Sequence, residues 1–150
     1  MAIKDILLHI DTSDRGSSVS DFALSLATEM GAHLTAAGIV LEIVPPASFM
    51  GEYPYDIMAE AIEQARQSAE QNYRKIAAAA PATVQTELVM IQAISGQARE
   101  DFGRLARHFD IAVAGQGGDE GGSDDELMVE GALFSSAAWR ACSMASAMMS

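Results

Sequence analysis

Asp110 to Gly122, DIAVAGQGGDEGG, constrains the fold of this chain more than any other stretch. Ile111-Ala112-Val113-Ala114 is a continuous apolar run, and it stops at glycine. Such a run reads as a buried strand that ends in a loop. Glycines there let the backbone adopt positive φ and come close to whatever lies above the strand. In an open α/β sheet that place is the carboxyl edge, where ligands bind. The rest of the chain reads as scaffold that brings this loop beside the end of the first strand.

The upstream sequence alternates between strand and helix patterns. Ile3 to Ile10 is apolar and ends in Asp11-Thr12-Ser13-Asp14, a buried strand emerging into a polar loop. Ser18 with Asp21 resembles a capping box, and Val19, Phe22, Ala23, Leu26, Ala27 and Met30 follow at helical spacing up to Gly31. His33 to Leu41 reads as a second strand, whose small residues Ala36, Ala37 and Gly38 imply a close neighbour. The proline-containing stretch Glu42 to Tyr55 reads as a loop. Helical periodicity returns from Asp56 through Met58, Ile62, Ala65, Ala69, Tyr73 and Ile76, and Pro81 marks its end. Thr83 to Ile91 reads as strand three, Ser95-Gly96 opens a third helix through Ala98, Phe102, Leu105 and Ala106, and Asp110 to Ala114 is strand four. Glu126 to Ala138 fits a fourth helix. This alternation predicts right-handed crossovers and an α/β fold with an open parallel sheet in the order 3-2-1-4. The expected core is Ile6, Leu8, Phe22, Leu26, Ile39, Ile62, Val89, Phe102, Leu105, Ile111 and Val113.

Charge and composition exclude several function classes. With 21 acidic against 9 basic residues the net charge is −12. That disfavours nucleic acid and anionic membranes as partners, since both require Lys/Arg patches. The lone cysteine, Cys142, excludes an internal disulfide and a cysteine-rich zinc site. The opening MAIKDILLHID has the pattern of neither a signal peptide nor a membrane span, so the expected location is cytoplasmic.

Four pieces of the sequence, in order and spacing, resemble the universal stress protein family. Ile6-Leu7-Leu8-His9-Ile10-Asp11-Thr12-Ser13 resembles its opening strand, and Ala32-His33-Leu34-Thr35 the start of its second. Ser95-Gly96-Gln97-Ala98 resembles the opening of its third helix. Phe109-Asp110-Ile111-Ala112-Val113-Ala114-Gly115 resembles its fourth strand. The resemblance spans residues 1–136, taken as one domain, with 137–150 as an atypical tail. It implies a Rossmann-like or flavodoxin-like sheet, a stress-response role without catalysis, and in many members a homodimer through fifth strands. Some members bind ATP through a loop of Gly, two residues, Gly, nine residues, Gly, then Ser or Thr.

Gly115 and Gly118 match the first half of that loop. In the second half Met128 stands where the next glycine is expected, Gly131 comes late, and Leu133-Phe134-Ser135-Ser136 resembles the closing segment. The candidate nucleotide site is therefore Asp11, Ile39, Gly115, Gly118 and Ser136, with ATP and bridging Mg²⁺ as the ligand. The insertion carries Asp119, Glu120, Asp124, Asp125 and Glu126 and no Lys or Arg, so binding is expected to be weak and Mg²⁺-dependent. The loop reads equally as an acidic turn, and Asp11 as a turn residue capping its own backbone. The rival function is a nucleotide-hydrolysing or adenylate-handling enzyme using Asp11, Gly115 and Gly118. The missing glycine and the absent cation oppose it. His9, His33 and His108 lack metal-ligand spacing and read as ordinary strand or helix-end residues. A triad of Ser13, His9 and Asp11 has no nucleophile-elbow pattern behind it. Residues 137–150, AAWRACSMASAMMS, replace the family's valine-rich fifth strand and read as a helix continuing. They are expected to be other than the family's usual ending.

Overall fold

The computed structural model describes residues 2–10, 16–42, 44–48, 51–52, 54–94, 96–115 and 131. The apolar run near the start forms β1 (Asp5–His9), and Ile6, Leu7 and Leu8 are fully buried. A strand apolar at every position has to be covered on both sides. That coverage comes from α1 (Gly16–Met30), β2 (His33–Glu42), α2 (Tyr55–Ala79), β3 (Thr86–Ile94), α3 (Ala98–Ala106) and β4 (Ile111–Val113). The described strands form one parallel sheet in the order β3-β2-β1-β4, as the alternation predicts.

Side chains alternate across a strand, and the core divides accordingly. Ile6, Leu8, Leu34 and Val113 face α1 and α2, packing with Val19, Ala23, Ala27 and Ile76. Leu7, Ala37 and Ala112 face the other way, onto Ala98, Phe102 and Ala106 of α3. The crossovers thus switch faces between β1 and β4. Of the expected core, Ile6, Leu8, Phe102 and Val113 are buried. Phe22, Leu26, Ile39, Leu105 and Ile111 pack at its margins.

Several expectations need correction. Ile62 and Val89 are only half-buried, the first in the amino-terminal half of α2, the second on the outermost of the described strands. Ser18 is not an N-cap, since α1 already begins at Gly16. The helix does stop at Gly31, whose φ of +63° is a left-handed conformation that glycine takes without steric cost. Strand three starts at Thr86 rather than residue 83. The Val84 N–H donates to the Pro81 carbonyl at 3.0 Å, closing a turn that delays the strand. The fifth strand, the tail at 137–150 and the helix expected over 126–138 lie outside the described residues, except that Gly131 is helical. No helix among the described residues is long and apolar enough to cross a membrane.

The short β4 is anchored at its start. One Asp110 carboxylate oxygen accepts from the Lys4 N–H at 2.8 Å and the Asp5 N–H at 3.1 Å. The Asp110 N–H in turn donates to the Asp5 carbonyl at 2.9 Å. Asp110→Ala is expected to cost about 1 kcal/mol in urea denaturation, and Asp110→Asn less because it keeps an acceptor oxygen.

Candidate functional site

The switch of faces makes the carboxyl edge of β1 and β4 the topological switch point of the sheet, the position where open α/β sheets take ligands. Leu8 pairs with Val113, so Ile10 and Gly115 stand at one level, two residues further on. Both are buried. The Ile10 N–H donates to the Ala37 carbonyl at 2.9 Å, which carries the β1–β2 ladder past the end of the strand. Ile39 lies on β2 two residues beyond the His9–Ala37 pair, half-buried against the α3-side core. The topology therefore brings Ile39 and Gly115 to one edge, on the strands flanking β1. Asp11, Gly118 and Ser136 lie outside the described residues.

Two residues gain importance that the sequence did not give them. His9 follows Leu7 on the α3 face and is buried, its ring meeting Phe102 edge-on at 5.6 Å between centroids and 74° between planes. The period-two pattern Leu7, His9 carries that signal. Gly131 is buried, and a Cβ there would collide with the Arg99 carbonyl oxygen and stand 2.6 Å from the Arg99 Cγ. A glycine is required because the backbone at 131 returns against the first turns of α3. Sequence spacing alone marked it only as late.

β1, β2, β4 and Gly115 carry no Lys or Arg. Among the described residues no group of three or more His, Cys, Asp or Glu could hold a metal ion.

No protein-family model and no curated protein matches the chain. Solved structures do. The chain is similar to the universal stress protein UspA from Lactobacillus plantarum, with 17% identity, TM-score 0.67, and coverage of 96% of this chain and 99% of that one. A universal stress protein family member from Burkholderia pseudomallei gives 19% identity and TM-score 0.60, covering 95% and 96%. A universal stress protein in complex with cAMP gives 17% identity and TM-score 0.55, covering 96% and 98%.

Proposed function

We propose, for a chain with the universal stress protein fold, a non-catalytic stress-response domain that binds a purine nucleotide weakly at the carboxyl edge of β1 and β4. The observation that carries this reading is the switch point of the sheet, where Ile10 and Gly115 follow the ends of the neighbouring strands β1 and β4, with Ile39 on β2. A similar structure in complex with cAMP supports the ligand class. In this reading Ile39 contacts the base, Asp11 the sugar–phosphate region, and the backbone at Gly115 and Gly118 the phosphates, with Ser136 closing the loop. Residues 1–136 form the binding domain, 137–150 are an appendage, and the protein works in the cytoplasm.

Two terms set the affinity. Hydrogen bonds to charged phosphate oxygens are worth roughly 1.5–3 kcal/mol each. Against them stand the five carboxylates between Asp119 and Glu126, which Mg²⁺ would neutralise. The test is thermal unfolding with millimolar ATP, with and without Mg²⁺. Stabilisation is expected only with Mg²⁺, and a ligand at about 100 times its Kd contributes about 2.7 kcal/mol. An upward shift with ATP alone overturns the Mg²⁺ dependence, and no shift under either condition overturns the nucleotide reading. Phosphate release at the uncatalysed rate is expected; turnover above it would make the protein an enzyme.

A further inference from the structure

Among the described strands β3 is outermost, with β2 on one side only. The backbone bonds say which residues carry its other edge. The Leu34 N–H donates to the Gln85 carbonyl at 2.9 Å, and Leu34 lies opposite Thr86. In a parallel ladder this turns the backbone groups of Glu87, Val89, Ile91 and Ala93 towards β2, and those of Thr86, Leu88, Met90, Gln92 and Ile94 outwards. Natural sheets blunt a long edge with proline, lysine or a bulge. TELVMIQAI holds no Pro, Lys or Arg, and its register with β2 runs unbroken from Thr86 to Ile94. At its centre Leu88, Val89, Met90 and Ile91 are apolar in a row and all half-buried.

The strand is complementary to itself. Full antiparallel overlap of Thr86–Ile94 with a second copy puts the two-fold axis at its midpoint, Met90. Met90 then meets its own copy, and Leu88 meets Gln92, in hydrogen-bonded pairs. Val89 falls opposite Ile91, an apolar cross-strand pair on the face that packs on α3. The one charged residue of the strand, Glu87, falls opposite Ala93, so no like charges meet.

α2 selects a second copy as the occupant. A Cβ at Gly38 would stand 2.9 Å from both the Ala69 Cβ and the Met90 sulfur, so Ala69 shares the level of Met90 and of the axis. The helix lies against β2 there, and the Tyr73 hydroxyl reaches the Thr86 hydroxyl of β3 at 3.2 Å. The flank of α2 beyond Tyr73 therefore borders the β3 edge. At 3.6 residues per turn, Arg66, Glu70, Glu63 and Arg74 lie on that flank, roughly 60–140° round from Ala69. Two-fold pairing sets the two α2 axes antiparallel and three strand spacings apart, about 14 Å. Helices in direct contact lie about 8–10 Å apart, so only long side chains bridge this seam. Glu63 stands about 9 Å to one side of the Ala69 level and Arg74 about 7.5 Å to the other. The axis exchanges the two directions, which brings Glu63 level with Arg74 of the second copy to within about 2 Å. Glu70 and Arg66 meet likewise, to within about 3 Å. Among the described residues none of these four side chains is in an ion pair.

We propose that the β3 edge pairs with the β3 edge of a second copy, antiparallel about Met90, with Glu63–Arg74 and Arg66–Glu70 bridges closing the seam between the two α2 helices. This differs from the fifth-strand pairing that the family resemblance implies, and it is separate from the β1–β4 edge, since β3 and β4 hold opposite sides of the described sheet. The net charge of −12 on each chain opposes association, so the expected dissociation constant is micromolar.

Sedimentation equilibrium of the full chain is expected to show monomer and dimer in exchange. Hydrogen exchange should show the Leu88, Met90 and Gln92 amides slowed as protein concentration rises. Gln92→Pro removes an outward N–H and leaves every bond to β2, and should raise the dissociation constant about tenfold or more. Two further variants leave β3 untouched and sit at exposed positions, so they keep the fold whatever the proline does. Glu63→Arg alone and Arg74→Glu alone should each weaken the dimer about tenfold, and the two together should restore it, because the swap keeps opposite charges face to face. A chain that stays monomeric to about 1 mM overturns the proposal. So does a dimer indifferent to Gln92→Pro, or a charge swap that fails to restore what each reversal loses.

Discussion

Phe102→Ala is expected to lower the unfolding free energy by about 3–5 kcal/mol, a large share of the roughly 5–15 kcal/mol that holds a domain folded. Phe102 is fully buried at the centre of the α3-side core, between Ala98 and Ala106 on its own helix and Leu7, Ala37 and Ala112 on the sheet. These neighbours are mostly small, so they cannot extend into the space a ring leaves. The cavity term therefore adds to the lost transfer energy. Truncation also removes the ring that His9 packs against, leaving a polar side chain beside a void. Phe102→Leu keeps most of the volume and should cost less than half as much. Guanidinium denaturation distinguishes the two. A loss under about 1 kcal/mol for the alanine variant would mean that the α3-side core collapses around the gap.

Gly38→Val is the second large effect, expected at about 2–3 kcal/mol with a fall in Tm of roughly 5–10 °C. Gly38 has no positive φ, so the backbone does not require glycine. Space does: an added Cβ would lie 2.9 Å from both the Ala69 Cβ and the Met90 sulfur. The methionine end can swing aside, but Ala69 is fixed to α2, and the helix would have to lift. A valine would otherwise suit a strand, and replacing glycine stiffens the unfolded chain by about 0.4–1 kcal/mol. Both gains are smaller than the overpacking. The decisive measurement is a double-mutant cycle of Gly38→Ala with Ala69→Gly. Glycine in mid-helix costs about 1 kcal/mol by itself, yet the pair should be more stable than the sum of the single changes, by about 0.5–3 kcal/mol. Strict additivity would show that helix and strand do not meet there.

Much of this architecture was legible in the residues because its causes are local. The continuous apolar run of β1 and the alternation of strand and helix specify strand order without knowledge of any distant contact. The small residues Ala36, Ala37 and Gly38 announced a close neighbour: α2 lies against Gly38, and Ala37 on the other face packs with α3. What escaped was set by non-local geometry. Periodicity alone does not distinguish Ile62, which is half-buried, from Ile76 on the same face of α2, which is buried. Val89 is half-buried because β3 is outermost among the described strands, a consequence already contained in the expected order 3-2-1-4 that the expected core did not take into account. At the candidate site, the level of Ile39 and Gly115 follows from strand register. The roles of His9 and Gly131 come from contact with α3, which no motif encodes.

The central strand also sets a schedule for synthesis. β1 pairs on one side with β2, made soon after it, but on the other with β4, whose Ile111 is the partner of Ile6. At roughly 5–20 residues per second, about 5–20 s separate the appearance of the two on the ribosome. During that interval one of the most apolar stretches in the chain, Ile6-Leu7-Leu8, has an open edge and an uncovered face. Until β4 is made, that edge offers unpaired backbone groups on which a wrong strand can pair, so the length of the interval, and not only the final stability, sets the exposure to misfolding.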